Sequence, residues 1–141
     1  MGSIKDKILS NIRHYRELPS DFIDISKLIH IRKLLATYGV NLAVEVGLAR
    51  KAWKIAEYEK EVTRNQKKIN FYSKNSNLGK SDLYAKANTG DLQKKAVEAE
   101  NLFFELDYIF KASREVLGEL NQHISYLRGE LKQEQFYTRE G

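Results

Sequence analysis

A repeat in the last third of the chain leaves little choice of fold. Leu92, Ala96, Ala99, Phe103, Leu106, Phe110, Ser113, Leu117, Leu120, Ile124, Leu127 and Leu131 follow one another at alternating spacings of four and three. That is the a/d pattern of a heptad, and it runs for more than five heptads with Ser113 as its one polar member. Apolar residues at this period form a seam along one side of a helix, and the seam is buried against another helix. A helix of about 40 residues extends roughly 60 Å, too far to serve only as a surface element of a small globule. It packs along another long helix of the same chain, along copies of itself, or both.

A second apolar set flanks the seam: Leu102, Phe104, Tyr108, Ile109 and Val116. A helix that is apolar on more than one face is covered from more than one side. In a chain with few helices the simplest second cover is another subunit. The reading is therefore an all-α fold of long antiparallel helices with a heptad-patterned C-terminal helix, assembling into an oligomer. Phe103, Leu106, Phe110, Leu117, Leu120, Ile124 and Leu127 are its expected contact positions. An intramolecular helical hairpin with a wide apolar face is the alternative.

The remaining residues fill in a single helical domain over 1–141. Residues 1–18 form an amphipathic helix with Ile4, Ile8, Ile12 and Tyr15 on one face. Pro19 stops it, and 19–25 are a linker. Over 26–72 the pattern gives a helix capped by Asp24 or Ser26, a break at Gly39, and a longer helix from Asn41 through Leu42, Val46, Ala49, Trp53 and Ala56. Residues 73–90 hold two clusters of turn formers, Lys74 to Ser81 and Asn88 to Asp91, and read as a loop with a helical turn near Asp82–Lys86. The long helix occupies 91–133.

No apolar run reaches the length of a membrane span. The start, Met1 to Asp6, lacks the apolar stretch of a secretion signal. No cysteine is present, so neither a disulfide framework nor thiolate chemistry is available. These features together read as a cytoplasmic protein.

Catalytic and metal chemistry find little support. Gly79-Lys80-Ser81 matches the end of a phosphate-binding loop, but that loop needs a glycine five residues earlier, where Lys74 stands. His14, His30 and His123 are scattered, without carboxylates or a second histidine at ligand spacing. The pairs Glu57/Glu61 and Glu98/Glu105 share helix faces with lysines and read as surface ion pairs. The expectation is no enzyme, no metal and no cofactor.

Charge gives the strongest pointer to function. The chain carries a net +5. Between Arg50 and Lys74 eight cations (Arg50, Lys51, Lys54, Lys60, Arg64, Lys67, Lys68, Lys74) face only Glu57, Glu59 and Glu61. Eight against three leaves five, so this stretch holds the whole excess. A localised excess is the footprint of a polyanion site. Within it, Arg64, Lys67, Lys68 and Lys74 interleave with Phe71 and Tyr72, a mixture suited to single strands. Lysines follow phosphates while an aromatic ring stacks on a base. No compact helix-turn-helix suggests a duplex reader.

The order of features resembles the UvsY family of small helical phage proteins. The resemblance lies in Asp21-Phe22-Ile23-Asp24-Ile25-Ser26-Lys27-Leu28, in Lys67-Lys68-Ile69-Asn70-Phe71-Tyr72-Ser73, and in the long helix with Phe110 and the stretch from Leu120 to Leu127. It covers about Asp21 to Leu131. It implies a ring-like homo-oligomer that binds single-stranded DNA and mediates recombination by helping load a RecA-like recombinase in exchange for a single-strand-binding protein. Lys67 and Lys68 are its implied phosphate contacts, and the host cytoplasm its location if phage-encoded. The family has a glycine- and arginine-bearing loop after the tyrosines, and here Lys74, Asn75, Ser76 and Asn77 stand instead. The competing reading is a coiled-coil structural or adaptor oligomer that binds only protein.

Overall fold

The computed structural model describes residues 2–140, with side chains described through residue 129. The chain is all-helical: α1 (Ile4–Arg16), α2 (Ile25–Asn75), α3 (Leu78–Ala87) and α4 (Gly90–Glu140). Among the described residues no helix is long and apolar enough to cross a membrane.

Local chemistry sets the ends. Ser3 caps α1 through a reciprocal box: its Oγ accepts from the Asp6 N–H at 3.1 Å, and Asp6 Oδ2 accepts from the Ser3 N–H at 3.4 Å. Arg13, His14 and Arg16 sit in the last turn, where cations meet the negative end of the helix dipole. Of the two candidate caps for α2, Asp24 does the capping, its Oδ1 accepting from the Lys27 N–H at 3.3 Å.

Two expectations fail here, each for a physical reason. The helix does not break at Gly39. The residue is buried inside a continuous α2, and a Cβ built on it would lie 4.0 Å from Ser113 Oγ. A helical glycine costs only about 1 kcal/mol, and the buried Leu35 and Leu42 on either side bind this stretch into a core. Nor is 73–90 a loop. Its turn formers cap a helix at both ends, and α3 fills the interval. Ser76 takes φ 48°, turning the chain out of α2. Asn77 Oδ1 then accepts from the Lys80 N–H at 3.0 Å to start α3. At the far end Asn88 and Thr89 lead into α4, the Thr89 Oγ1–H donating to Ala85 O at 2.8 Å.

Two compact units share these helices, one of residues 1–44 with 107–141 and one of residues 45–106. In the first, the α2 and α4 segments run antiparallel, since Arg32 donates to Asn121 while Gly39 lies by Ser113. Its core is large and aliphatic: Ile8 from α1, Leu28, Ile31, Leu35 and Leu42 from α2, and Ile109, Val116, Leu120, Ile124 and Leu127 from α4. Each such side chain contributes about 1.5–3 kcal/mol when fully buried. Ser113 is buried among them, and its hydroxyl has no hydrogen-bond partner.

In the second unit α2 and α4 again run antiparallel, with Trp53 stacked on Phe103 (centroids 5.4 Å apart) and Glu59 paired with Lys95 at 3.6 Å. The buried residues here are small: Ala49, Ala56, Ser81, Ala85, Thr89 and Ala96, with Leu106 the one large aliphatic among them.

The seam residues are used within these units. Leu106, Leu120, Ile124 and Leu127 are buried, and Phe103, Phe110 and Leu117 are half-buried. The side chain of Leu131 lies outside the described residues. Of the flanking apolar set, Ile109 and Val116 are buried in the first unit, while Leu102, Phe104 and Tyr108 stay exposed.

Candidate nucleic-acid interface

Arg64, Lys67, Lys68 and Phe71 stand at helical spacings of three, one and three, which places them on one face of α2. All four are half-buried because that face meets α3 and the start of α4. Arg64 Nε donates to Thr89 Oγ1 at 3.0 Å and its Nη2 to Gln93 Oε1 at 3.3 Å. Lys67 Nζ donates to the Asn88 carbonyl at 2.7 Å. Lys68 Nζ lies 3.7 Å from Asp82 Oδ1. The Phe71 ring stacks on Tyr84 with centroids 4.6 Å apart and planes 23° from parallel.

The charge balance of this row is lopsided. Arg64 and Lys67 are met by neutral oxygens, so their charges are hydrogen-bonded but not neutralised. Asp82 is the anion paired with the row, and Lys86 shares it at 3.3 Å. The Lys86 hydrogen bond and charge, with a smaller pull from Lys68, hold the Asp82 carboxyl below its ordinary value. Arg64, Lys67, Lys68 and Lys86 against Asp82 leave a local surplus of three positive charges around an aromatic pair.

The other two expected contact residues continue along α2 with no hydrogen bond or ion pair to α3 among the described residues. Tyr72, four residues on from Lys68, and Lys74, three residues on from Phe71, are both exposed. Arg50, Lys51 and Lys54 are also exposed, with Lys54 Nζ 3.9 Å from the centre of the Trp53 ring. Lys80 is an exposed residue in the first turn of α3.

Two features of the site escaped the sequence reading. One is the set of partners, Asp82, Tyr84, Asn88 and Thr89, which depend on α3 being a helix. The paired caps Asn77 and Asn88 around a Leu- and Ala-containing run were the available signal. The other is an exposed stripe on α2. Leu48, Ile55, Val62 and Ile69 recur every seven residues, with Lys51, Tyr58, Asn65 and Tyr72 at the alternate positions. Leu48, Ile55, Tyr58, Ile69 and Tyr72 are exposed and Val62 is half-buried, and the Leu48–Ile55–Ile69 line lies on a different face of α2 from the row.

Comparison with protein-family models, with curated proteins and with solved structures finds no match to this chain.

Proposed function

We propose that this chain is a non-catalytic helical protein that binds single-stranded DNA and assists loading of a RecA-like recombinase. The observation that carries the proposal is the α2 row. Three cations and an aromatic ring share one helix face, and Asp82 pairs with Lys68 while neutral oxygens meet Arg64 and Lys67. Cations at helical spacing follow a phosphate chain, and a neighbouring ring accepts a stacked base worth about 1–3 kcal/mol. The recombinase and single-strand-binding-protein partners rest on the resemblance to the UvsY family.

Fluorescence anisotropy with labelled oligo-dT at several salt concentrations, beside a duplex of equal length, tests the proposal. The expected result is preference for the single strand, with affinity falling by about 0.7 log units per phosphate contact per decade of salt. Lys67→Ala with Lys68→Ala then flattens that slope by about 1.4. Absence of binding to either nucleic acid at low salt sinks the proposal.

The alternative, a coiled-coil oligomer that binds only protein, draws on the outer stripe of α2. Its heptad spacing suits a second helix of equal length, and a second copy of the chain meets that need. Laid antiparallel with Tyr58 of one chain against Ile55 of the other, each Lys54 comes opposite a Glu61, so the pair is charge-complementary. Ile69→Glu is expected to lower the mass seen by light scattering after size exclusion. An unchanged mass removes this stripe as the interface. The stripe and the row lie on different faces, so an oligomer built this way leaves the row to DNA.

A further inference from the structure

We infer that α3 is a self-cover over the single-strand site, and that bound DNA displaces it. The inference rests on the DNA-binding reading and adds the way that site is controlled. Each group of the row is engaged by α3 or the junction behind it, through a contact of the kind a nucleotide offers, and Arg64 alone is also held by α4, through Gln93. The Asp82 carboxylate stands at Lys68 where a phosphate oxygen would stand. The Tyr84 ring lies flat on Phe71 where a base would stack. The Asn88 carbonyl and the Thr89 hydroxyl accept from Lys67 and Arg64 as sugar or phosphate oxygens would.

The cover is lightly fastened. α3 has 10 residues, below the length at which an isolated helix is stable in water. Its buried side chains are Ser81 and Ala85, while Leu78, Leu83 and Tyr84 stay exposed. Little apolar burial is lost when it lifts, and the ion pair it breaks, Lys68–Asp82, is at the surface and weak. Short capped turns at Ser76–Asn77 and Asn88–Thr89 connect it to α2 and α4, which keep their own packing through Trp53 and Phe103. A phosphate chain brings several anionic charges where α3 brings the Asp82 carboxylate, so the exchange favours DNA and weakens with salt.

The test combines oligo-dT anisotropy with amide hydrogen exchange on the full chain. Tyr84→Ala unstacks the cover without changing charge, and it is expected to tighten oligo-dT binding by about threefold or more. Gly79→Ala favours helix in α3, and its new Cβ meets only Asn77 Oδ1 at an ordinary 3.6 Å. It is expected to weaken binding by up to about fivefold, the fold-change for a helix-propensity gain near 1 kcal/mol. Saturating oligo-dT is expected to raise exchange across residues 78–87. Tight binding with those amides equally or better protected, together with unchanged or weaker binding by Tyr84→Ala, overturns the cover and leaves the DNA-binding reading standing. No binding by the parent chain or by Tyr84→Ala overturns both.

Discussion

The two compact units are built from the same two long helices, yet they are held together by different means. The first closes over leucines, isoleucines and a valine contributed by α1, α2 and α4. The second closes over alanines, Ser81 and Thr89, and ties α3 down with polar and aromatic contacts along the α2 row. Apolar burial is non-directional and scales with area, so the first unit draws its stability from the surface it buries. The second unit draws much of its cohesion from groups that a polyanion also wants. On the proposed reading, stability and DNA binding compete in the second unit and are independent in the first.

Core truncation is the harshest way to test this contrast. Leu120→Ala removes a fully buried side chain of the first unit and is expected to cost about 2–5 kcal/mol in urea unfolding. Ala85→Gly, at an equally buried position of the second, is expected to cost about 1 kcal/mol. Equal losses at the two sites would mean that the small-residue core is as tightly packed as the aliphatic one.

A gentler probe is acid. Asp82 has its folded-state pKa depressed, chiefly by Lys86 within α3 and less by Lys68, so its support of the α3 helix is complete above the ordinary value of 3.8 and is lost as pH falls through the lower folded-state value. Amide protection in residues 78–87 is therefore expected to drop below about pH 4, and Asp82→Asn should abolish that step. A step of the same size in the Asp82→Asn protein would assign it to some other carboxylate.

Much of this architecture could be read from the sequence, and the failures are instructive. The heptad seam correctly marked a long α4, and the Leu42–Ala49–Ala56 face of α2 is buried as the periodicity required. Which apolar residues pack inside the chain was less legible. Ile109 and Val116 are buried more deeply than the seam residues Phe110 and Leu117, in a unit where α1 also reaches α4 through Arg16–Glu119 and Tyr15–His123. The break expected at Gly39 reflects a local propensity of about 1 kcal/mol outweighed by packing. The row Arg64–Phe71 was visible as composition, but the partners that face it come from α3, whose capping residues look the same as those of a loop. The α2 stripe is hard to read from sequence because one helix carries two apolar faces, and the internally packed Leu42–Ala49–Ala56 face has the same period.

The most direct test of the central claim, that the single-strand site is the α2 row of the second unit, is a chemical-shift map of labelled protein titrated with oligo-dT. The account requires the largest changes at residues 64–71 and across 78–90, with the amides around Leu28, Leu35 and Leu120 left nearly unmoved. Changes concentrated in the first unit, or on the exposed face of Arg50, Lys51 and Lys54 with the row silent, would contradict it.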